Sequence, residues 1–265
     1  MAVKPSSRWI FLRGLVRESE HWDDFPQRFA QALPGAEVRC LDLPGNGEHW
    51  RLNSPPNLRE AMEFARREAW ETADGPTAPQ TPVYLLSISM GSMAALEWAS
   101  RYPQEIAGAV LINTSLSGLN PLYRRLSWRS WPLLLRILAT TDAAARERLI
   151  LRLTSNRAAD AALIAARVAT YQRRPVRWSN VLRQLWAAAR YRPPPAKPAV
   201  PLLLLNSLGD RMVAPSCTTE IAALWTVPCL THPWAGHDLP LNHPAWVIAA
   251  VREWMAANID RPHAA

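Results

Sequence analysis

The stretch V-Y-L-L-S-I-S-M-G-S-M-A-A-L-E-W-A, residues 83–99, decides the fold. Its apolar opening, residues 83–86, reads as a buried strand. A turn of small residues carries Ser89, and a helix-forming segment over residues 90–102 follows at once. Strand, sharp turn with a serine at its apex, then helix is the setting of a G-x-S-x-G-type elbow. The turn lifts the serine oxygen clear of the backbone, and the helix N-terminus behind it favours developing negative charge. Here the pattern is S-I-S-M-G, with Ser87 where the first glycine usually stands.

Working outward, the same strand–helix alternation continues on both sides. Upstream, residues 8–12 read as a strand, 21–33 as an amphipathic helix and 37–41 as a second strand that ends at Asp42 in D-L-P-G-N-G-E. Residues 57–72 carry a helical pattern, closed by a Pro/Gly/Thr loop over residues 74–82. Downstream, residues 106–112 form another apolar run of the β type. Alternation stops near Ser115. Residues 119–192 hold no convincing strand and read as several helices, with breaks near Pro132, Asn156 and Pro175. Y-R-P-P-P-A-K-P, residues 191–198, is a stiff return. Strand 200–206, helix 216–224, strand 227–231 and helix 244–257 then complete the chain. The expectation is an α/β fold: a mainly parallel sheet of about six strands with helices on both faces. Its core would be residues 1–116 and 199–265, with a helical insertion over 117–198.

Composition narrows the class. Of the 265 residues, 49% are hydrophobic and 20% charged, as expected of a folded globular chain. No apolar run reaches the roughly 18 residues of a membrane span, so no stable membrane insertion is expected. The opening M-A-V-K-P-S-S-R-W-I-F-L does not read as a signal peptide. Cys40, Cys217 and Cys229 are odd in number and lack metal spacing, which points to a reduced, cytoplasmic protein without a metal. The net charge of +8 raises nucleic-acid binding, but all the basic residues except Lys4 and Lys197 are arginines. The excess sits mainly between residues 120 and 200, with 16 Arg/Lys against 3 Asp/Glu and no nucleic-acid motif. No nucleic-acid partner is therefore expected.

Four pieces fall at the ends of expected strands: R-G-L at residues 13–15, Ser89, Asp210 in N-S-L-G-D-R-M-V, and His237 in W-A-G-H-D-L-P. In a parallel sheet these loops leave one carboxyl edge, where such folds bind ligands. A serine hydroxyl needs a neighbouring base, which His237 suits. Asp210 would hold the imidazole tautomer. The amides of Met90 and Leu15 would receive an oxyanion. Each has a plainer reading, as turn serine, surface histidine or loop acid; the order Ser, Asp, His after successive strands favours the chemical one. Asp238 and Asp142 are rivals for the acid.

This arrangement resembles the α/β-hydrolase superfamily, from about Trp9 to Met255, and D-L-P-G-N-G resembles its D-x-P-G-x-G loop. The resemblance implies a Ser89–His237–Asp210 triad, a helical cap over the cleft and no cofactor. It implies a serine hydrolase, carboxylesterase-like, acting on a small-molecule ester through an acyl-enzyme. Thioester or C–C bond hydrolysis on the same triad is the alternative, or a ligand-binding protein that has lost turnover. Arg13 and Asn46 depart from the histidines usual at those positions: with Arg13 the turn's supporting hydrogen bonds must differ, and Asn46 mainly affects local packing. Arg13, Arg17 and His21 are candidates to line the pocket, or, for Arg17, Glu18 and His21, to form a local network. Asp42 reads as a loop-fixing residue, His49, His232 and His243 as structural. The tryptophans of the insertion, Trp128, Trp131, Trp178 and Trp186, read as packing. The insertion's arginines read as a solvated face or an attraction for anionic substrates or lipid surfaces.

Overall fold

A computed structural model describes residues 7–72, 75–76 and 82–259. Its six-stranded sheet is parallel throughout: β1 (Ser7–Leu12), β2 (Ala36–Leu41), β3 (Val83–Ile88), β4 (Ile106–Ile112), β5 (Leu202–Ser207) and β6 (Cys229–His232) lie in the spatial order 2-1-3-4-5-6. The continuous apolar runs became the interior strands, since a parallel strand buried on both faces has no polar side. Every residue of β5 is buried, and β4 is buried at all but one. The edge strand β2, A-E-V-R-C-L, alternates partly buried and exposed residues instead.

Strand period two sends alternate residues to opposite layers. On one face Ile10, Leu12, Leu85, Leu111 and Leu204 pack against α2 (Leu58–Trp70), α3 (Met90–Arg101) and α9 (Pro215–Trp225). On the other, Trp9, Phe11, Leu86, Val110 and Leu203 meet α1 (Phe25–Ala32) and α11 (Pro244–Ile259). Between β4 and β5 the chain makes α4 (Leu122–Arg125), α5 (Trp131–Ala139), α6 (Ala143–Thr154), α7 (Ala161–Arg173) and α8 (Trp178–Arg190).

Several expectations are corrected. The helix expected over residues 21–33 is two elements: a 3-10 turn, Ser19–Trp22, and α1. They part at Asp23, which has φ +53°, and Pro26 opens α1 where its missing N–H costs nothing. Asp142 divides α5 from α6, accepting the Ala145 N–H at 2.6 Å as an N-cap. A short helix not expected, α10 (Leu239–Asn242), precedes α11. Trp128, Trp131, Trp178 and Trp186 are exposed rather than packed inside. The expected loop over residues 74–82 falls largely outside the described residues. No helix among the described residues is long and apolar enough to cross a membrane.

Candidate active site

The sheet order reverses at β1, whose neighbours are β2 on one side and β3 on the other. A crevice opens at such a point, outside the carboxyl ends of the strands. Arg13 and Gly14 leave β1 there, and Ser89 leaves β3 beside them.

Ser89 has φ +58° and ψ −122°, a backbone conformation that costs an L residue energy and is held by its surroundings. Its N–H donates to Ile112 O at 2.9 Å, and its carbonyl accepts from Thr114 Oγ1 at 3.0 Å. Two glycines let the chains close on it. A Cβ on Gly14 would stand 2.9 Å from Ser89 Cβ, and one on Gly91 would stand 2.5 Å from both the Leu12 and Arg13 carbonyl oxygens. Ser87, at the first-glycine position, is fully buried, and its hydroxyl donates to Val110 O at 3.2 Å. A small side chain with a satisfied hydroxyl is therefore accommodated at that position.

His237 and Asp210 meet: Nδ1 lies 2.7 Å from Oδ2, with both side chains nearly sealed from solvent. The other carboxylate oxygen accepts the Met212 and Val213 N–H groups at 2.7 and 2.9 Å. An acid held on both oxygens fixes the ring with Nδ1 protonated and leaves Nε2 as the basic nitrogen. The His237 carbonyl accepts from Asn113 Nδ2 at 2.8 Å. Ser89 and His237 line the same cavity. The hydrogen bonds formed among the described residues do not include one from Ser89 Oγ to the ring; such contacts often tighten only around substrate. The rival acids are engaged elsewhere, Asp142 as an N-cap and Asp238 with Arg13.

The R-G-L turn is supported through the Arg13 side chain. Arg13 is buried and makes a bidentate pair with Asp238, at 3.1 and 2.5 Å, while its guanidinium sits 4.6 Å over the Trp22 ring. Burial would push the Asp238 carboxyl up, but the Arg13 charge and hydrogen bonds, backed by Arg167 and Arg17, outweigh it and hold it below the usual range. The pair joins the residue before Gly14 to the residue after His237. Sequence reasoning weighed Asp238 only as a triad acid and missed this tie. Nothing local signals a partner 225 positions away.

Arg17, Glu18 and His21 both line the cavity and form a network. Arg17 pairs with Glu147 of α6 at 3.0 Å, and Glu18 with Arg174 at 2.8 Å. The Glu18 N–H donates to His21 Nδ1 at 3.0 Å. Burial, then the charges of Arg17, Arg167 and Arg13, drive the His21 pKa well below 6.5, so this ring stays neutral at neutral pH. Arg167 of α7, also missed from sequence, reaches Asp23 at 2.6 Å and the Glu20 carbonyl at 3.2 Å. Asp42 fixes its loop, accepting from Ser19 N–H at 2.7 Å and Glu48 N–H at 3.1 Å. Asn46 accepts from Gln184 Nε2 of α8 at 2.9 Å.

The cavity is about 520 Å³. Its outer wall is apolar, from residues such as Leu134, Ile150, Val168 and Val181 of the inserted helices, while its floor carries Ser89, His237 and the Arg13–Asp238 pair. Burial pushes the Cys40 and Cys217 thiols up to about 12, so neither competes as a nucleophile. Among the described residues no group of three or more His, Cys, Asp or Glu could hold a metal.

A parallel sheet with this crossover order, an elbow serine and a histidine–carboxylate pair at one edge define an α/β-hydrolase. The chain belongs to the serine aminopeptidase S33 family of these hydrolases, which it matches over residues 4–227, a span that takes in Ser89 and Asp210. Among curated proteins none matches it in sequence. Solved structures share the fold. The protein named as the non-heme bromoperoxidase BpoC of Mycobacterium tuberculosis is 22% identical, with a TM-score of 0.71, over 96% of this chain and 94% of that one. One named as an aryl esterase, from Burkholderia cenocepacia, is 20% identical, TM-score 0.71, over 98% and 94%. One named as a lipase, from Acinetobacter baumannii, is 18% identical, TM-score 0.73, over 95% and 84%. Names that span peroxidase and esterase on one fold leave the reaction to be argued from the site.

Proposed function

We propose that this protein is a serine hydrolase that cleaves carboxylic esters with an apolar acyl group, through an acyl-enzyme. The observation that carries the reading is the 2.7 Å contact between His237 Nδ1 and Asp210 Oδ2, with the elbow serine on the same cavity. His237 Nε2 takes the proton as Ser89 Oγ attacks the ester carbonyl. The Leu15 and Met90 N–H groups flank Ser89 and receive the oxyanion; among the described residues neither donates to another acceptor. His237 then gives its proton to the departing alkoxide. A water, deprotonated by the same nitrogen, attacks the acyl-enzyme; the acyl–Oγ bond breaks, the acid leaves and His237 returns the proton to Ser89 Oγ. Asp210 keeps the tautomer and stabilises the imidazolium throughout. The inserted helices act as the cap, and their apolar side chains hold the acyl group. What supports an apolar acyl rather than a peptide is the wall of leucine, isoleucine and valine facing Ser89.

Fluorophosphonate labelling and p-nitrophenyl ester turnover test this together. The wild type labels and turns over esters; Ser89→Ala fails to label and loses about a thousandfold or more in kcat. Thioester and C–C substrates in the same panel decide between those reactions and esters. A wild type that neither labels nor turns over any of them overturns the reading.

A further inference from the structure

Helix α8 is inside out. It buries Asn180 and Gln184 and exposes Trp178, Leu182, Leu185 and Trp186. Those four fall at the i, i+4, i+7, i+8 spacing of one apolar stripe, the face a helix ordinarily turns inward. The polar face is inward because it is fully used. Asn180 Nδ2 donates to Leu52 O at 2.9 Å and its Oδ1 accepts from Ser54 N–H at 2.9 Å, while Gln184 Oε1 accepts the Val16 N–H at 2.9 Å. Helix α5 shows a second outward stripe, Trp131, Leu135 and Leu138 at i, i+4, i+7. The two stripes are joined by the cavity. Trp131, Leu135, Leu138, Trp178 and Leu185 are exposed and also line it, so both stripes reach the cavity that holds Ser89.

We infer that this face of the cap docks on an anionic lipid surface. Exposed apolar area of this extent marks an interaction site, and its charge selects the occupant. The region between residues 120 and 200 carries 16 Arg/Lys against 3 Asp/Glu. Of those acids, Asp142 and Asp160 cap helices and Glu147 is buried against Arg17. Of the arginines, Arg124, Arg167, Arg173 and Arg174 pair with acids outside the region and Arg125 is buried, while Arg129, Arg136, Arg148, Arg177, Arg183 and Arg190 are exposed. Arginines sit against exposed aromatic rings, Arg190 5.0 Å from Trp186 and Arg146 4.3 Å from Tyr171. Arginine heads beside aromatic and leucine side chains match a headgroup layer over acyl chains. A second copy of the chain would set this basic face against its like. On the proposed ester-hydrolase reading, on which this part rests, an acyl chain would pass from the lipid surface straight into the cavity; the docking itself does not require turnover.

The test uses Ser89→Ala, which leaves lipid intact, co-sedimented with vesicles of equal parts phosphatidylglycerol and phosphatidylcholine. It is expected to bind these about tenfold or more tightly than pure phosphatidylcholine, and to lose affinity as salt rises. Adding Leu182→Ser and Trp186→Ser, neither of which lines the cavity, is expected to weaken binding about tenfold. The same two changes in the wild-type background leave turnover of soluble p-nitrophenyl butyrate unaltered; a thermal melt checks folding independently. Ser89→Ala remaining in the supernatant at low salt overturns the inference. So does unaltered binding by the Leu182→Ser/Trp186→Ser variant, or a wild-type dimer in sedimentation that those changes convert to monomer. Vesicle binding by a protein inert toward every ester would leave the docking standing and remove the hydrolase reading.

Discussion

Without the Arg13 guanidinium, the Asp238 carboxylate would be left buried with its hydrogen-bonding countercharge gone. Breaking such a pair costs about 3–5 kcal/mol, so Arg13→Ala is expected to lower stability by that order in urea unfolding. Arg13→Lys restores charge but only one point of contact, and should recover part of the loss. Arg13→Met with Asp238→Asn removes both charges and should recover more than Arg13→Met alone. The pair also sets a pH dependence. Asp238 titrates below its ordinary 3.8 when folded, so near that value the unfolded chain binds more protons. Its contribution is fully present above about pH 4 and is lost as pH falls through the folded value. Asp238→Asn should flatten that acid limb of the stability curve. On the proposed mechanism, Asp210→Asn would let the His237 ring turn to the wrong tautomer, with an expected fall in kcat of about 10³–10⁴ and little change in KM.

The elbow illustrates how closely elements are fitted. A methyl on Gly91 would press on two backbone oxygens at 2.5 Å, and backbone has no rotamer to yield. Gly91→Ala is expected to cost about 1–3 kcal/mol and to displace Ser89, so that activity falls further than stability does. Turnover measured well below the melting temperature separates the two. Such local rules are also what made the site readable. The apolar run at residues 83–86 reads as a buried strand, and the turn after it needs small residues. The meeting of Asp210 and His237 at the edge that carries Ser89 was therefore legible from the elbow pattern and the order Ser, Asp, His after successive strands. The break at Asp23 was not, because its φ of +53° occurs where Arg167 grips Asp23 and the carbonyls before it. Helix α8 misled in a subtler way. Its periodicity is plain in W-S-N-V-L-R-Q-L-W, but periodicity identifies a stripe and does not say which side meets the core. Asn180 and Gln184 decide that, through partners in the loops after β1 and β2.

At the scale of the molecule, ion pairs tie the inserted helices to the sheet's loops alongside the apolar packing of Ala187 and Tyr191 in the core. Arg17–Glu147, Arg167–Asp23 and Arg174–Glu18 each bridge the inserted helices to the loops after β1. Arg167→Met is expected to loosen α7 locally, seen as about tenfold faster proteolysis between α6 and α7 with a smaller change in the global melt. The contact from Gln184 Oε1 to the Val16 N–H has a wider consequence. It ties α8 to the residue next to Leu15, so on the proposed mechanism movement of α8 and loosening of the turn that would receive the oxyanion belong to one equilibrium. Coupling of that kind is reciprocal. A boronic acid that forms a tetrahedral adduct on Ser89 should therefore slow hydrogen exchange along α8, and Gln184→Ala should abolish the protection while leaving the adduct. On that mechanism the turn proposed to receive charge is also the latch by which an occupied site would report itself to the surface.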